Sequence, residues 1–260
     1  MNGAIGPALE PLLLDHAFGL VLVLARVGAT LALLPALGEA SVPAVVKAGM
    51  VLTLAILLLP IVAPGLPPRP ESQVTLAFMV LGELLNGLWF GWIARVLTIS
   101  LPLAGQMMAD FAGLSNVLLP NPEPGGQNSA ISRLYDVAVP ALILSSGLHT
   151  GLITALVGSY RLIPPGTTAW VSDGAARSVS VMAESFNLAV RLAAPFILAS
   201  IAWNVVNGLI ARLVPRLQIF FVTLPGQIGL GLLLLAAVAV PITGVWLEAM
   251  RAAIVTLQGG

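Results

Sequence analysis

Four long apolar stretches without a charged side chain restrict the possible folds of this chain more than any other feature. They cover residues 48–68, 137–160, 192–211 and 217–247. A helix that crosses a bilayer core about 30 Å thick needs roughly 20 apolar residues, and each stretch reaches that length. The four stretches therefore predict membrane-spanning helices.

Two further apolar segments are interrupted by isolated charges. They are residues 12–37, with Asp15 and Arg26, and residues 74–101, with Glu83 and Arg95. Hydrophobic residues make up 58% of the chain and charged residues only 8%, whereas soluble domains contain about 25% charged residues. Lipid or partner helices must cover so apolar a surface. We predict an all-α, polytopic, membrane-associated helical bundle with about six hydrophobic segments.

Proline- and glycine-rich connections separate the segments at residues 64–72, 120–129 and 164–174. No soluble domain or internal repeat is evident, so we expect one domain over residues 1–260. The first sixteen residues carry Glu10 and Asp15 and no Lys or Arg. This charge is opposite to that of a cleavable signal peptide, so we expect the N-terminus to be retained.

Prolines lie within or at the edges of the apolar segments, at Pro35, Pro60, Pro102, Pro140, Pro195, Pro225 and Pro241. Each removes a backbone donor and kinks or breaks a helix, and in hydrocarbon a neighbouring helix must satisfy the freed carbonyl. One helix over residues 217–247 would be about 46 Å long at 1.5 Å per residue. We therefore predict proline-broken helices, with a break near Pro225 or Pro241.

Glycine spacing predicts close helix packing. Gly87 and Gly91, and likewise Gly147 and Gly151, have the GxxxG spacing that lets two helix backbones approach. Chance remains open for each pair, because the chain has 26 glycines.

No catalytic motif is present, and the chain has no cysteine. Of its two histidines, His149 has no second histidine or carboxylate beside it at metal-ligand spacing. The charges of eleven basic and eleven acidic residues cancel, so the chain has no net positive charge that would attract nucleic acid. We expect no enzyme activity, no cofactor, no metal site and no nucleic-acid partner.

Charges inside apolar segments are energetically costly and therefore candidates for function. Arg26, Glu83, Arg95 and Arg191 are of this kind. Pairing between helices or at a subunit interface is the favoured interpretation, and an ion or proton path is the alternative.

The segment at residues 105–129 combines small apolar residues with a proline-rich loop. Such a segment could close an aqueous passage, because a hydrophobic constriction excludes water; an ordinary helix connection is the alternative. The candidate pore or plug residues are Met107, Met108, Gly113, Leu114, Ser115, Asn116 and Val117.

The run RLAAPFILASIAWNVVNGLIARLVPRLQIFFVTLPGQIGLGL, at residues 191–232, resembles the FliR family of flagellar type III export-gate proteins and its injectisome relatives. The matching signature is Gly208, Leu209, Arg212, Pro215 and Phe220, followed by Pro225. Further matches are Gly105-Gln106, Gly113-Leu114-Ser115, Leu148-His149, Ser159, residues 162–164 and, more loosely, Arg26, Pro35, Pro43, Lys47 and Pro60. The likeness covers nearly the whole chain.

The resemblance implies a structural and gating subunit of the flagellar export gate, in the bacterial inner membrane and the flagellar basal body. Its implied partners are FliP-like and FliQ-like gate subunits, FlhB-like and FlhA-like export proteins, and unfolded flagellar substrates. It also implies a FliP-like portion over residues 1–180 joined to a FliQ-like portion over residues 181–260. Interface or structural roles are expected for Arg26, Glu83, Arg95, Arg191, Gly208, Arg212, Pro215, Phe220 and Pro225.

Residues 105–129, which we call the plug segment, depart from the family pattern at two places. Asn116 stands where Phe is frequent, and Asn121-Pro122 replaces Asp-Pro. A polar Asn116 would seal a pore less tightly than an aromatic residue. An injectisome subunit and, less favoured, a stand-alone secondary transporter are the alternative functions.

Overall fold

The computed structural model describes residues 6–114, 129–167, 170–213 and 219–257, with side chains for 13–114, 129–167, 174–213 and 223–257. These residues form seven α-helices, and a 3-10 turn at Ala63–Gly65 follows the second. The helices are α1 (Gly6–Leu33), α2 (Ala44–Val62), α3 (Gln73–Phe111), α4 (Ala130–Ser145), α5 (Leu148–Leu162), α6 (Trp170–Leu213) and α7 (Ile219–Leu257).

Five helices are long and apolar enough to cross a membrane, namely α1, α2, α3, α6 and α7. The count rises to six if α4 and α5 together form one broken span. The predicted fold class, a polytopic helical bundle with about six hydrophobic segments, is confirmed.

The apolar stretch 137–160 is not one helix, because α4 ends at Ser145 and α5 begins at Leu148. Gly147 has a φ of 76° between them, a left-handed conformation that glycine adopts without steric cost. Gly147 and Gly151 therefore do not lie on one helix, and the GxxxG interpretation of this pair is wrong.

The helices continue through their prolines. Pro225 and Pro241 both lie inside α7, so the predicted break in this segment is wrong. Pro60, Pro102 and Pro195 likewise lie inside helices. A proline removes one backbone hydrogen bond of a helix, but the adjacent turns keep their own hydrogen bonds. In apolar surroundings no water can take the place of these bonds, so the helix continues.

Contacts divide the chain into two compact units. Unit 1 comprises Met1–Val96, Gly147–Val181 and Ala252–Gly260, and unit 2 comprises Leu97–Ser146 and Met182–Arg251. Both units are discontinuous in sequence, whereas the expected FliP-like and FliQ-like portions follow one another along the chain. That expected division stays a prediction.

In unit 1, α1 packs closely against α3 at Gly87 and Gly91. A Cβ atom on Gly87 would overlap the Arg26 carbonyl oxygen, and one on Gly91 would lie 2.7 Å from the Thr30 carbonyl oxygen. Thr30 Oγ1 also donates a hydrogen bond to the Gly87 carbonyl oxygen at 3.1 Å. This GxxxG pair therefore forms a helix contact of the kind its spacing predicts.

In unit 2, glycines also allow helices to approach. A Cβ on Gly105 would lie 2.6 Å from the Tyr135 ring, so α3 and α4 are in close contact there. Trp246 of α7 is fully buried, and its Nε1 donates to Ser100 Oγ of α3 at 3.1 Å. An indole buried in an apolar core requires such a hydrogen-bond acceptor.

Candidate functional site

A buried ion pair joins α1 to α3 in unit 1. Arg26 Nε lies 2.6 Å from Glu83 Oε2, and Arg26 Nη2 lies 3.0 Å from Glu83 Oε1. The two side chains are 1% and 0% exposed. A bidentate guanidinium–carboxylate pair is the strongest geometry for such a contact, and burial protects it from solvent screening.

The surroundings satisfy the remaining hydrogen-bonding groups of the pair. Arg26 Nη1 donates to the carbonyl oxygens of Ile163, at 3.0 Å, and Ser159, at 3.3 Å. The Arg26 guanidinium lies 4.2 Å from the centroid of the Tyr160 ring, within the range of a cation–π contact. The backbone N–H of Gly166 donates to Glu83 Oε1 at 2.7 Å.

These contacts join α1, α3, α5 and the turn that follows α5. We call Arg26, Glu83, Tyr160 and Gly166 the buried charge network. Gly166 has a φ of 80°, which favours glycine and lets the turn present its N–H to Glu83. Asn86 Nδ2 makes a second contact with the same turn, donating to the Thr167 carbonyl oxygen at 2.9 Å. The network thus links three helices and a turn of unit 1 through buried hydrogen bonds.

Sequence reasoning singled out Arg26 and Glu83 but missed Tyr160 and Gly166. The signal for Gly166 is the Pro164-Pro165-Gly166 tripeptide, which is typical of a turn that needs a glycine. No sequence pattern marks Tyr160, because its role depends on where α5 packs.

The other charged candidates lie in more open surroundings. Arg95 of α3 pairs with Glu39 in the turn before α2, at 2.5 Å, with side chains 41% and 27% exposed. Arg191 bonds to Asn187 one turn back on α6, at 3.0 Å, and Arg212 is exposed. Partly exposed pairs of this kind contribute little to stability.

The described part of the plug segment is the end of α3 and the turn after it, in unit 2. Met108 is buried, Met107 is half-buried and Leu114 is buried. Gly113 has a φ of 72°, and Leu114 N–H donates to the Ala109 carbonyl oxygen at 2.8 Å. This glycine-terminated helix end satisfies carbonyls that the helix leaves open. Ser115, Asn116 and Val117 lie outside the described residues.

Two glutamines contact the backbone before and after residues 115–128 of the plug segment. Gln227 Nε2 of α7 donates to the Phe111 carbonyl oxygen at 3.2 Å. Gln106 Oε1 of α3 accepts the Ser129 N–H at 2.7 Å, and Ser129 Oγ caps the first turn of α4. Gln227 of α7 therefore helps to position the end of α3, and Gln106 of α3 helps to position Ser129, which precedes α4.

The signature candidates of α6 and α7 face outward where the structure describes them. Gly208 and Pro225 are exposed, and apart from its own helix backbone no described atom would lie within 4 Å of a Cβ on Gly208. Pro215 lies outside the described residues, and Phe220 lies in the first turn of α7 with its side chain outside them.

The long helices expose apolar surface. Buried residues make up 50% of the apolar stretch of α1 but 22% of that of α6 and 11% of that of α7. Trp203 Nε1 and Asn207 Oδ1 of α6 are shielded from solvent yet have no hydrogen-bond partner among the residues that the structure describes. The exposed apolar surface of α6 and α7 is therefore suited to contact with lipid or with other proteins.

Among the described residues, no three His, Asp or Glu side chains form a group that could hold a metal.

Comparison with known proteins identifies the family. The family described as "Bacterial export proteins, family 1" matches residues 17–253. The flagellar biosynthetic protein FliR of Caulobacter vibrioides is 36% identical over 88% of this chain and 92% of its own length. FliR of Escherichia coli is 28% identical over 82% of this chain and 81% of its own length.

A relative from another system also matches. The Yop proteins translocation protein T of Yersinia pestis is 27% identical over 82% of this chain and 83% of its own length. The chain therefore belongs to bacterial export proteins, family 1, the family of the flagellar FliR proteins, and is a multi-pass membrane subunit of a type III export apparatus.

Proposed function

We propose that this chain is a structural and gating subunit of the flagellar type III export gate. It assembles with FliP-like and FliQ-like subunits into a hetero-oligomer whose pore passes unfolded flagellar proteins. The observation that carries this proposal is the 36% identity to a flagellar FliR protein over 88% of the chain. FlhB-like and FlhA-like export proteins complete the assembly, in the inner membrane at the flagellar basal body.

The length of the helices supports assembly with other proteins. Helix α6 has 44 residues, and α3 and α7 have 39 each. At about 1.5 Å per residue they reach roughly 66 and 58 Å, about twice the hydrocarbon thickness of a bilayer. Lipid tails alone cannot cover apolar helices of this length.

The outward-facing positions supply a place for partners. We propose that Arg191, Gly208, Arg212, Pro215, Phe220 and Pro225 lie at subunit interfaces. A glycine such as Gly208, which has no side-chain neighbour among the described residues, suits close approach by a second helix. The unpaired Trp203 and Asn207 groups lie on the same helix as Gly208 and would find hydrogen-bond partners on such a neighbour.

We propose that Met107, Met108 and residues 113–117 help to seal the closed pore. The buried Met108 and Leu114 and the glutamine contacts at Phe111 and Ser129 would hold that segment in place. Deletion of residues 113–117 should then increase the permeability of cells to ions and small solutes. Unchanged permeability with normal co-purification of the gate subunits would remove this assignment.

An injectisome subunit is the second candidate, and the likeness to Yop proteins translocation protein T favours it. The flagellar function is preferred because the identity to Caulobacter FliR is higher and covers more of the chain.

Deletion of the gene from its own host tests the proposal. The deletion strain should be non-motile, should lack filaments and should fail to secrete hook and filament proteins, and a plasmid copy should restore all three. Normal secretion of flagellar proteins together with loss of effector secretion would favour the injectisome function. Normal secretion in both systems would contradict both candidates.

A further inference from the structure

A cleft of about 470 Å³ opens in unit 1 where α1 meets the end of α2. Phe18, Leu59, Ala63 and Leu66 form its apolar wall, and Asp15 and Arg69 bring one negative and one positive charge to it. Its volume lies within the range of about 300 to 1,000 Å³ that is typical of small-molecule sites. Neither the buried charge network nor the plug segment contributes to this cleft.

Close packing at Gly19 builds the wall of the cleft. A Cβ atom on Gly19 would lie 2.7 Å from Leu66 Cδ1 and 3.3 Å from Leu59 Cδ1. The same two leucines line the cleft, so their positions are fixed by the contact between α1 and α2. The cleft is therefore part of the packed structure of this unit.

The cleft lies at the end of a candidate membrane span. This span is Ala44–Gly65, and the contact between Gly19 and Leu66 places Gly19 of α1 beside its end. Arg69 stands four residues after Gly65, and Asp15 stands four residues, about one helical turn, before Gly19. Side chains at this level of a span meet the polar headgroups of lipids.

The charges of the cleft define the ligand. Within the described residues, Asp15 and Arg69 make no ion pair or hydrogen bond with each other or with another group. A ligand with only negative charge would meet the Asp15 carboxylate, and a ligand with only positive charge would meet the Arg69 guanidinium. A zwitterion with a phosphate and an ammonium group complements both.

The type of ammonium group follows from the lining. Proteins recognise a quaternary ammonium by a cage of aromatic rings. Among the described residues, the aromatic rings that line this cleft are those of Phe18 and His16, and neither Trp nor Tyr lines it. The Asp15 carboxylate offers instead hydrogen-bond acceptors, which a primary ammonium can use and a quaternary one cannot.

We propose that this cleft binds the phosphoethanolamine headgroup of a membrane phospholipid. Arg69 binds the phosphate, Asp15 binds the primary ammonium, and the apolar wall contacts the glycerol and the first acyl carbons. His16 also lines the cleft. This proposal does not depend on the export function, because it rests on the geometry of unit 1 alone.

Native mass spectrometry of the full chain, extracted in mild detergent with the proteins that co-purify with it, tests the proposal. Phosphatidylethanolamine, phosphatidylglycerol or phosphatidylcholine is added in separate samples. We expect preferential retention of phosphatidylethanolamine, by about tenfold for one charge-assisted hydrogen bond. Asp15→Asn should remove this preference, and Arg69→Gln should weaken retention of all three lipids by a similar factor.

Exposed charges outside the cleft serve as matched controls. Glu71→Gln and Arg161→Gln remove one charge each, and both should bind lipid as the unmodified chain does. Competition with soluble phosphoethanolamine separates the two sources of this chemistry: weak displacement supports a lipid ligand, and displacement at equal concentration would contradict it. Equal retention of the three lipids, or equal effects of cleft and control substitutions, would overturn the proposal.

Discussion

Unit 1 and unit 2 use different contacts to hold their helices together. In unit 1 a charged pair, Arg26 and Glu83, is fully buried and has hydrogen-bond partners from α5 and the following turn. In unit 2 the described contacts that join distant helices include neutral groups, such as Trp246 with Ser100 and Gln227 with Phe111. A buried charge pair tolerates the loss of one member poorly, whereas neutral contacts can be lost singly at lower cost.

Helices α1 and α7 also differ in how much of their apolar surface is buried within the chain. Half of the apolar stretch of α1, in unit 1, is buried, against 11% of that of α7, most of which belongs to unit 2. This difference does not extend to the whole units, because only 17% of the apolar stretch of α2, in unit 1, is buried. The exposed face of α7 has to be covered by lipid or by neighbouring proteins.

The largest expected effect is the loss of one member of the buried pair. Arg26→Leu or Glu83→Leu leaves an unpaired charge in an apolar interior, so the free energy of unfolding should fall by about 3–5 kcal/mol. The measurements are the amount of folded protein extracted in mild detergent and its apparent melting temperature.

The double substitution Arg26→Leu with Glu83→Leu should recover most of this loss, because no unpaired charge remains. Arg95→Leu, at the partly exposed pair with Glu39, should cost at most about 1 kcal/mol. If Arg26→Leu were as mild as Arg95→Leu, burial of the Arg26–Glu83 pair would not raise the cost of losing one of its members.

A smaller effect is expected at the contact between α1 and α3. Gly87→Ala places a Cβ against the Arg26 backbone and should destabilise the chain by about 1–3 kcal/mol. Gly229→Ala in α7, where no described atom outside its own helix backbone would lie within 4 Å of the new Cβ, should instead stabilise it by about 0.5–1 kcal/mol. Thermal unfolding of the two variants in the same detergent compares them.

Gly208, like Gly229, has room for a side chain among the described residues, so a larger residue there tests an interface rather than packing within the chain. Gly208→Leu should leave the melting temperature of the isolated chain almost unchanged but should prevent co-purification with FliP-like and FliQ-like subunits. Normal co-purification of this variant would argue against an interface at Gly208.

The smallest expected effect is at Gln227. Gln227→Leu removes the hydrogen bond to the Phe111 carbonyl oxygen and should cost about 1 kcal/mol. As a positioning residue, Gln227 should also affect the permeability of cells that carry the assembled gate. Asn204→Ala, which loses a bond within its own helix, should leave permeability unchanged. Equal permeability of the two variants would contradict a positioning role for Gln227.

The sequence allowed the helical class and most segments to be predicted, because charge-free apolar runs have few structural alternatives. It also located the contact at Gly87 and Gly91, since GxxxG spacing places two small residues on one helix face. It failed at Gly147, because one left-handed glycine divides a run without changing its hydropathy. The prediction of a helix break near Pro225 or Pro241 also failed. It considered only the hydrogen bond that each proline removes and not the many hydrogen bonds that the rest of a long helix retains.

The site was only half predictable. Arg26 and Glu83 stand out as charges in apolar surroundings, but their pairing joins residues far apart in sequence, and no local pattern encodes it. The contribution of Tyr160 depends in the same way on helix packing. Arg95 was recognised as a candidate, whereas its partner Glu39 lies in a turn and has no sequence signal.

Photo-crosslinking from the exposed face of α7 tests most directly whether other proteins cover it. A photoreactive amino acid replaces Leu233 or Val240, which are 72% and 79% exposed, or the buried Trp246 as a control. We expect Leu233 and Val240, in living cells, to crosslink to FliP-like or FliQ-like chains, and Trp246 to give crosslinks within its own chain. Crosslinks from Leu233 and Val240 to lipid alone, in cells that express all gate subunits, would contradict the account.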